Sequence, residues 1–345
     1  MSKPQNNPFA LPGDDLAHIV RHTGAELEKL RGSHLFITGG TGFFGKWLLG
    51  ALCHANAELS LDLRMTVLSR DPLAFQKQYP AVDKMPGLHF VAGDVAGFSP
   101  DQRRYDYVLH AATDTTAFTN EAQERERAYA IVEGTCRILD LTKASGARRL
   151  LNISSGAVYG SFTSQPTGAM EDDYSAARPV TAYATAKREA EQHCTESGLD
   201  FVTARAFAFL GPHLALDAHF AAGNFIRDAH KGVPILVRGD GTALRSYLYP
   251  ADLVIWLLRI LVRGKRGEAY NVGSDEVVNT AQLAKLTANA VNPPVEISIQ
   301  SLQPQGPQNI YLPNIQKARK ELNLDVYIPL QDAIRRTLEY LSTEG

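Results

Sequence analysis

Tyr183-Ala-Thr-Ala-Lys187 spaces a phenol and an ammonium four residues apart. That spacing puts them on one face of a helix, about 6 Å apart at the backbone. A phenol titrates near 10 and is a poor base at neutral pH, but a neighbouring cation favours the phenolate, which can then take or return an alcohol proton. Ser155 closes an apolar run, and its hydroxyl is placed to hydrogen-bond the same alcohol or carbonyl oxygen. Ser155, Tyr183 and Lys187 are therefore the candidate catalytic residues. The Tyr/Lys pair alone weighs little, because with 13 tyrosines in 345 residues such a pair arises by chance in about half of similar chains. The bland alternative is a solvated helix pair beside a serine that caps a strand end.

The segment Thr38-Gly39-Gly40-Thr41-Gly42-Phe43-Phe44-Gly45 follows the apolar run 35–38 and opens a helical pattern. Gly39, Gly42 and Gly45 form a GxxGxxG turn in which the backbone at Thr41, Phe43 and Phe44 can approach a pyrophosphate at the positive end of the helix. A dinucleotide is expected there. Its oxidised nicotinamide would also favour the Tyr183 phenolate, and Lys187 would hold the nicotinamide ribose as well. The second strand ends at Ser69-Arg70, where NAD-preferring relatives of such a fold place an acidic residue. A hydroxyl and a guanidinium suit a 2′-phosphate, which favours NADP over NAD. Asp71 can still reach a ribose, however, and Arg70 can equally be a surface arginine. Gly93-Asp94-Val95 ends the third strand and is placed to meet the adenine, or Asp94 to cap its loop.

A scaffold for these groups is visible in the hydrophobic pattern. Apolar runs at 35–38, 65–69, 88–92, 107–111, 149–154 and 201–207 alternate with helical segments from about Phe43, over 121–144 and after Thr181. Strands alternating with helices, most of them near-continuously apolar, imply a parallel sheet covered on both faces. The expected fold is α/β, a Rossmann-type doubly wound parallel sheet with a smaller mixed α/β substrate-binding lobe. Residues 1–32 read as an N-terminal tail and helix, with Leu16, Ile19, Val20, Leu27 and Leu30 at helical spacing. Residues 33–210 read as the NAD(P)-binding domain. Residues 211–345 read mainly as the substrate lobe, with short strands near Ile235 and Tyr270, helices near Leu253, Ala281 and Ile334, and some elements returning to the first domain.

The charge balance, 35 Lys+Arg against 37 Asp+Glu for a net −2, gives no reason to expect nucleic acid or an anionic membrane as partner. The apolar stretch from Leu253 to Val262 is interrupted by Arg259 and too short for a bilayer, and MSKPQNN lacks the apolar core of a secretion signal. Cys53, Cys136 and Cys194 show neither CxxC nor Cys/His metal spacing. A cytoplasmic protein with reduced thiols and no metal is expected. His110, His193 and His213 are read as structural.

Taken together, TGGTGFFG, GDV, HAAT (110–113), SSGAVYG (154–160) and YATAK resemble the extended short-chain dehydrogenase/reductases, the sugar-nucleotide epimerase/dehydratase family, over about residues 33–345. Arg205 to Pro212 is similar to the family's R-x-F-N-x-x-G-P, Asn224-Phe225-Ile226 to its substrate loop, Arg245 to Asp252 to its R-D-F-x-x-V-x-D, and Tyr270 to Ser274 to its late strand. The resemblance implies a tightly held NAD(P) lined also by Ala111, Ala112 and Thr113. It further implies a nucleoside-diphosphate sugar as substrate and a homodimer joined through helices 121–144 and 181–197. Arg245 would bind the diphosphate, a role suited to a forked cation, and Asn224 would contact substrate. A surface salt bridge is the alternative for Arg245.

Departures from the family pattern bear on the reaction. Dehydratases and decarboxylases of the family carry an acidic residue just after the catalytic Ser/Thr, in TDE or TSE, where this chain has Ser155-Gly156-Ala157. Gly156 and Ala157 would line the sugar site without an acid, leaving Asp114, after HAAT, as a substitute. Ile131 replaces an Asn tied to the usual proton-relay water, and Ala208 replaces the Asn of R-x-F-N, which implies an altered sugar pocket. The leading expectation is hydride transfer at sugar C4 by a 4-epimerase or a 4-keto-6-deoxysugar reductase. A 4,6-dehydratase with unusual acid/base groups is one alternative. A non-catalytic NADP-binding sensor is another, against which the intact Ser/Tyr/Lys set speaks.

Overall fold

The computed structural model describes residues 6–113, 121–160, 167–176, 178–217, 220–301 and 309–344. Seven strands form the central sheet: β1 (His34–Thr38), β2 (Arg64–Ser69), β3 (Leu88–Ala92), β4 (Tyr107–His110), β5 (Arg149–Ser155), β6 (Phe201–Ala206) and, after β7 (Ile235–Val237) and β8 (Leu244–Arg245), β9 (Ala269–Val272). Their order is β3-β2-β1-β4-β5-β6-β9, every neighbour parallel. Residues of β1 and β6 are buried at every position, the signature of strands covered on both faces. The order reverses between β1 and β4, the crevice where open α/β sheets bind ligands at their carboxyl ends.

The helices explain that cover. α1 (Gly13–Leu30) and α2 (Phe43–Leu59) lie against α7 (Pro250–Arg263), which in turn packs on β5 and β6. On the other face α4 (Glu121–Ser145) pairs with α5 (Ala182–Glu196). α3 (Pro72–Gln78) follows β2. β10 (Val278–Asn279) and β12 (Ile310–Tyr311) flank β8 in a three-stranded sheet, and β11 (Ile297–Ile299) pairs with β7. α6 (Ala221–His230), α8 (Thr280–Ala288) and α10 (Leu330–Glu344) gather around β7, while α9 (Gln316–Leu322) rests on β9. α7 is buried around almost its whole circumference, which explains an apolar stretch too short for a membrane. No helix among the described residues is long and apolar enough to cross one.

α1 buries Leu16, Ile19, Leu27 and Leu30, as its spacing predicts, but also Asp15 and Glu26. Asp15 Oδ2 accepts the Tyr249 phenol proton at 2.6 Å, and Oδ1 is bonded by Arg336 of α10. Glu26 faces Arg259 at 3.5 Å and Arg263. Buried carboxylates persist only when paired in this way.

Candidate active site at the carboxyl edge of the sheet

The glycine turn joins β1 to α2 at the crevice. Gly39 has φ +72°, and a Cβ there would stand 2.5 Å from the Ala111 carbonyl carbon and oxygen; at Gly45 it would stand 2.3 Å from Gly39 O. Only glycine fits at either position. Gly42 is the N-cap of α2, with no side-chain cap and no carboxylate in the first turn, so the chemistry of this turn fits a pyrophosphate. Thr41, Phe43 and Phe44 are half-buried along it, with the Phe44 ring edge-on to Phe209 at 4.8 Å. Ala111 N–H donates to Thr38 O at 3.3 Å and Ala112 N–H to Thr38 Oγ1 at 3.1 Å, which draws the HAAT loop against the turn.

At the adenine side Ser69 is buried and Arg70 exposed. Asp71 is the N-cap of α3, its Oδ1 accepting Ala74 N–H at 2.9 Å. One oxygen of its carboxylate is thus engaged locally. Asp94 likewise caps its loop, with Oδ1 accepting Ala96 N–H at 2.9 Å. Val95 is turned toward α4, where a Cβ on Gly134 would meet its Cγ1 at 2.9 Å.

Ser155 ends β5 and Tyr183 and Lys187 stand on α5, whose start is fixed by Thr181 Oγ1 accepting Ala184 N–H at 3.1 Å. Ser155 Oγ accepts Ala157 N–H at 3.2 Å and lies 3.4 Å from the Tyr311 phenol oxygen. Burial raises the Tyr183 phenol above its usual value, opposed by a hydrogen bond from Ser155 and by the Arg127 guanidinium, which lies 5.7 Å from the ring centroid. Arg127 of α4 thus adds a cation over the Tyr183 ring. Lys187 is buried and donates from Nζ to Thr113 Oγ1 at 2.7 Å and Ile153 O at 2.9 Å. Burial brings its ammonium down to about 8. Ile131 packs with Ala186 and Ala190 beneath Tyr183, so this flank is apolar.

One turn beyond Lys187, buried Glu191 receives Arg205 of β6 through Nη2 to Oε2 at 2.8 Å, and Arg205 Nη1 donates to the Tyr159 phenol oxygen at 2.8 Å. The Tyr159 phenol donates to Asn271 Oδ1 at 2.7 Å. Together these contacts tie α5 to β6, β9 and the loop after Ser155. Gly156 is buried against Phe207, whose Cε1 would lie 2.6 Å from a Cβ on residue 156, and Ala157 is half-buried. Asp114 lies outside the described residues.

Arg245 is half-buried and bonds Leu244 O at 2.7 Å, Asn309 O at 3.1 Å and Asn309 Oδ1 at 3.1 Å. It forms no carboxylate pair among the described residues, unlike the surface salt bridge that was the alternative. Burial lowers its affinity for a proton, which marks a cation short of countercharge. Asn224 Oδ1 accepts a hydrogen bond from Arg227 at 3.0 Å, and Ala208 is half-buried. His110, buried between Thr38 Oγ1 at 2.8 Å and Thr135 Oγ1 at 3.2 Å, is pushed down to about 3 by burial. His213 binds Phe9 O at 3.0 Å and is pushed down to about 4; His193 faces Glu189 at 3.8 Å. Sequence reasoning missed Tyr311, Phe207 and Arg127 as neighbours of the reacting groups. Only Phe207 lay inside a recognised motif.

The model of the "NAD dependent epimerase/dehydratase family" matches residues 35–273. The chain is 27% identical over 309 residues to UDP-glucuronic acid decarboxylase 6 of Arabidopsis thaliana, covering 87% of this chain and 86% of that one. Among solved structures, an epimerase from Methanothermobacter thermautotrophicus superposes with TM-score 0.79 at 21% identity over 94% of this chain and 96% of that one. UDP-glucose 4-epimerase from Thermotoga maritima, solved with UDP-glucose, gives 0.74 at 19% identity over 90% and 99%. These two show a shared fold.

Proposed function

Because this chain belongs to the NAD dependent epimerase/dehydratase family, we propose that it modifies a nucleoside-diphosphate sugar by hydride transfer at C4, as a 4-epimerase or a 4-keto-6-deoxysugar reductase. The observation that carries this reading is the contrast at the end of β5. Ser155, Tyr183 and Lys187 are all present, while Gly156, closed by the Phe207 ring, and Ala157 supply no acid or base for removing water or a carboxylate. Such a set moves one proton and one hydride at one carbon.

Residues 39–45, 69–70, 94–95 and 111–113 are assigned to the cofactor, with Lys187 and Tyr183 at its nicotinamide end. A bound nicotinamide supplies or accepts the hydride. Tyr183 takes the C4 hydroxyl proton or returns it to the C4 oxygen, and Ser155 hydrogen-bonds that oxygen. Lys187, held by Thr113 and Ile153, keeps positive charge beneath the site. Arg245 is assigned to the diphosphate because it has no carboxylate partner among the described residues, and Asn224 and Ala157 to the sugar side. Arg70 at the end of β2, with Asp71 engaged in capping α3, supports NADP over NAD. The α4/α5 surface, where Tyr129 is 65% exposed, is assigned to a homodimer contact.

The test is incubation of the purified protein with UDP-, dTDP-, CDP- and GDP-hexoses, following products by mass and NMR. An isomer of unchanged mass identifies an epimerase. Turnover only of a 4-keto sugar nucleotide with NADPH identifies a reductase. Loss of one water from a hexose, or of carbon dioxide from a nucleoside-diphosphate hexuronic acid added to the panel, overturns the proposal.

A further inference from the structure

α4 and α5 are packed side by side. Ile131 of α4 is buried with Ala186 and Ala190 of α5, and Ala128, Val132 and Tyr183 lie against that cluster. The flank of Tyr183 that faces α4 is therefore mostly hydrocarbon, a poor medium for an anion. Arg127, one turn before Ile131, crosses this flank, with its guanidinium carbon 5.7 Å from the centre of the Tyr183 ring. Other arginines of the helix run along its own surface: Arg125 pairs with Glu121 and Arg137 with Glu133, each at 2.9 Å and each four residues back.

A neutral phenol ring offers a cation only its quadrupole, whereas a phenolate shares its negative charge between oxygen and ring. A guanidinium over the ring therefore gains when the phenol loses its proton, and arginine keeps its own proton at any working pH. We propose that Arg127 is a positioning residue that acts through Tyr183, favouring the phenolate from the face of its ring and so setting the pH at which the base is ready. Tyr183 as phenolate takes the C4 hydroxyl proton, and Arg127 gives up and receives none. The balance of forces on the phenol runs the same way, since burial raises its hold on the proton while the Ser155 hydrogen bond and Arg127 lower it. The other titratable groups near Tyr183 are the Tyr311 phenol across Ser155 and Lys187 one turn along α5, whose Nζ is turned to Thr113 and Ile153 O. This inference rests on the reading of Tyr183 as the base.

The test is the titration of Tyr183 in full-length protein labelled at tyrosine Cζ with carbon-13, its resonance identified by loss in Tyr183→Phe. The protein is saturated with NADP⁺ or NAD⁺, whichever calorimetry shows to bind more tightly. Arg127→Met keeps the apolar stem of the side chain and removes the charge, and the Tyr183 midpoint is expected to rise by about one pH unit, a tenfold change in proton affinity at the low end of what a nearby opposite charge does. Arg127→Lys restores a cation without the planar guanidinium and is expected to raise the midpoint by less. Arg125→Met removes a guanidinium two residues away that pairs with Glu121, and is expected to leave the midpoint in place. An unchanged midpoint in Arg127→Met overturns the inference, as does an equal rise in Arg127→Met and Arg127→Lys, which would mark a packing effect, or an equal rise in Arg127→Met and Arg125→Met, which would mark net charge alone. Failure of the wild type to turn over any sugar nucleotide would instead strike the proposed function, since the titration reads the phenol without turnover.

Discussion

Lys187 links the catalytic geometry to a measurable stability. An unfolded lysine keeps its proton to about 10.5, whereas burial lowers folded Lys187 to about 8, against the pull of Glu191 and Cys194 in the other direction. Between these values the unfolded chain binds the extra proton, so folding stability rises as pH is raised from 8 toward 10.5. Below 8 both states are protonated and the full cost of burying the ammonium is present. The fall from 10.5 to about 8 corresponds to roughly 3 kcal/mol. Lys187→Met removes this cost, but it also leaves Thr113 Oγ1 and Ile153 O without the Nζ donor, a loss of about 1–3 kcal/mol. The two changes nearly cancel at pH 7 and separate with pH. Urea denaturation of both proteins at pH 7, 8, 9 and 10 should give near-equal midpoints at pH 7. The wild type should then gain up to roughly 3 kcal/mol over the variant by pH 10. A difference that stays flat across that range would refute the burial argument, because every other titrating group is common to both proteins.

Tyr183→Phe should lower turnover of a sugar nucleotide by about 10²–10⁴ while cofactor affinity, measured by fluorescence quenching, stays within a few fold. Grafting Gly156→Asp with Ala157→Glu should yield no dehydrated product by mass spectrometry. It should also cost about 1–3 kcal/mol, because Phe207 occupies the space the new side chain needs. Arg205→Met strands buried Glu191 and should cost about 3–5 kcal/mol in denaturant unfolding. Arg245→Ala should weaken UDP binding in calorimetry by roughly ten- to a hundredfold, the loss of charge-assisted hydrogen bonds worth about 1.5–3 kcal/mol.

The central sheet was legible in the sequence because most strands covered on both faces are near-continuously apolar, a pattern that survives without any tertiary knowledge. The glycine turn was legible because position 39 demands positive φ and position 45 tolerates no Cβ. Tyr311 was not, since β8 and β12 are too short for any periodicity and their pairing joins remote segments. Arg127 reaches the Tyr183 ring only through the packing of α4 on α5, which spacing within α5 cannot show. Asp71 and Asp94 each read as ligand or loop residues in the sequence, and the caps their Oδ1 atoms give Ala74 and Ala96 N–H depend on loop geometry that spacing does not show. In α1 the apolar stripe marked the buried face correctly, but the carboxylates inside it had partners in helices hundreds of residues away.

That last arrangement imposes an order on biosynthesis. Asp15 meets Arg336 across 321 residues and Tyr249 across 234, and Phe9 O meets the Tyr340 phenol across 331. At ribosomal speeds α10 emerges roughly 15–60 s after α1. During that interval the apolar stripe of α1 and the Asp15 carboxylate lack the Arg336 partner that α10 supplies. Seating α1 on α7 and α10 closes the longest loops in the molecule.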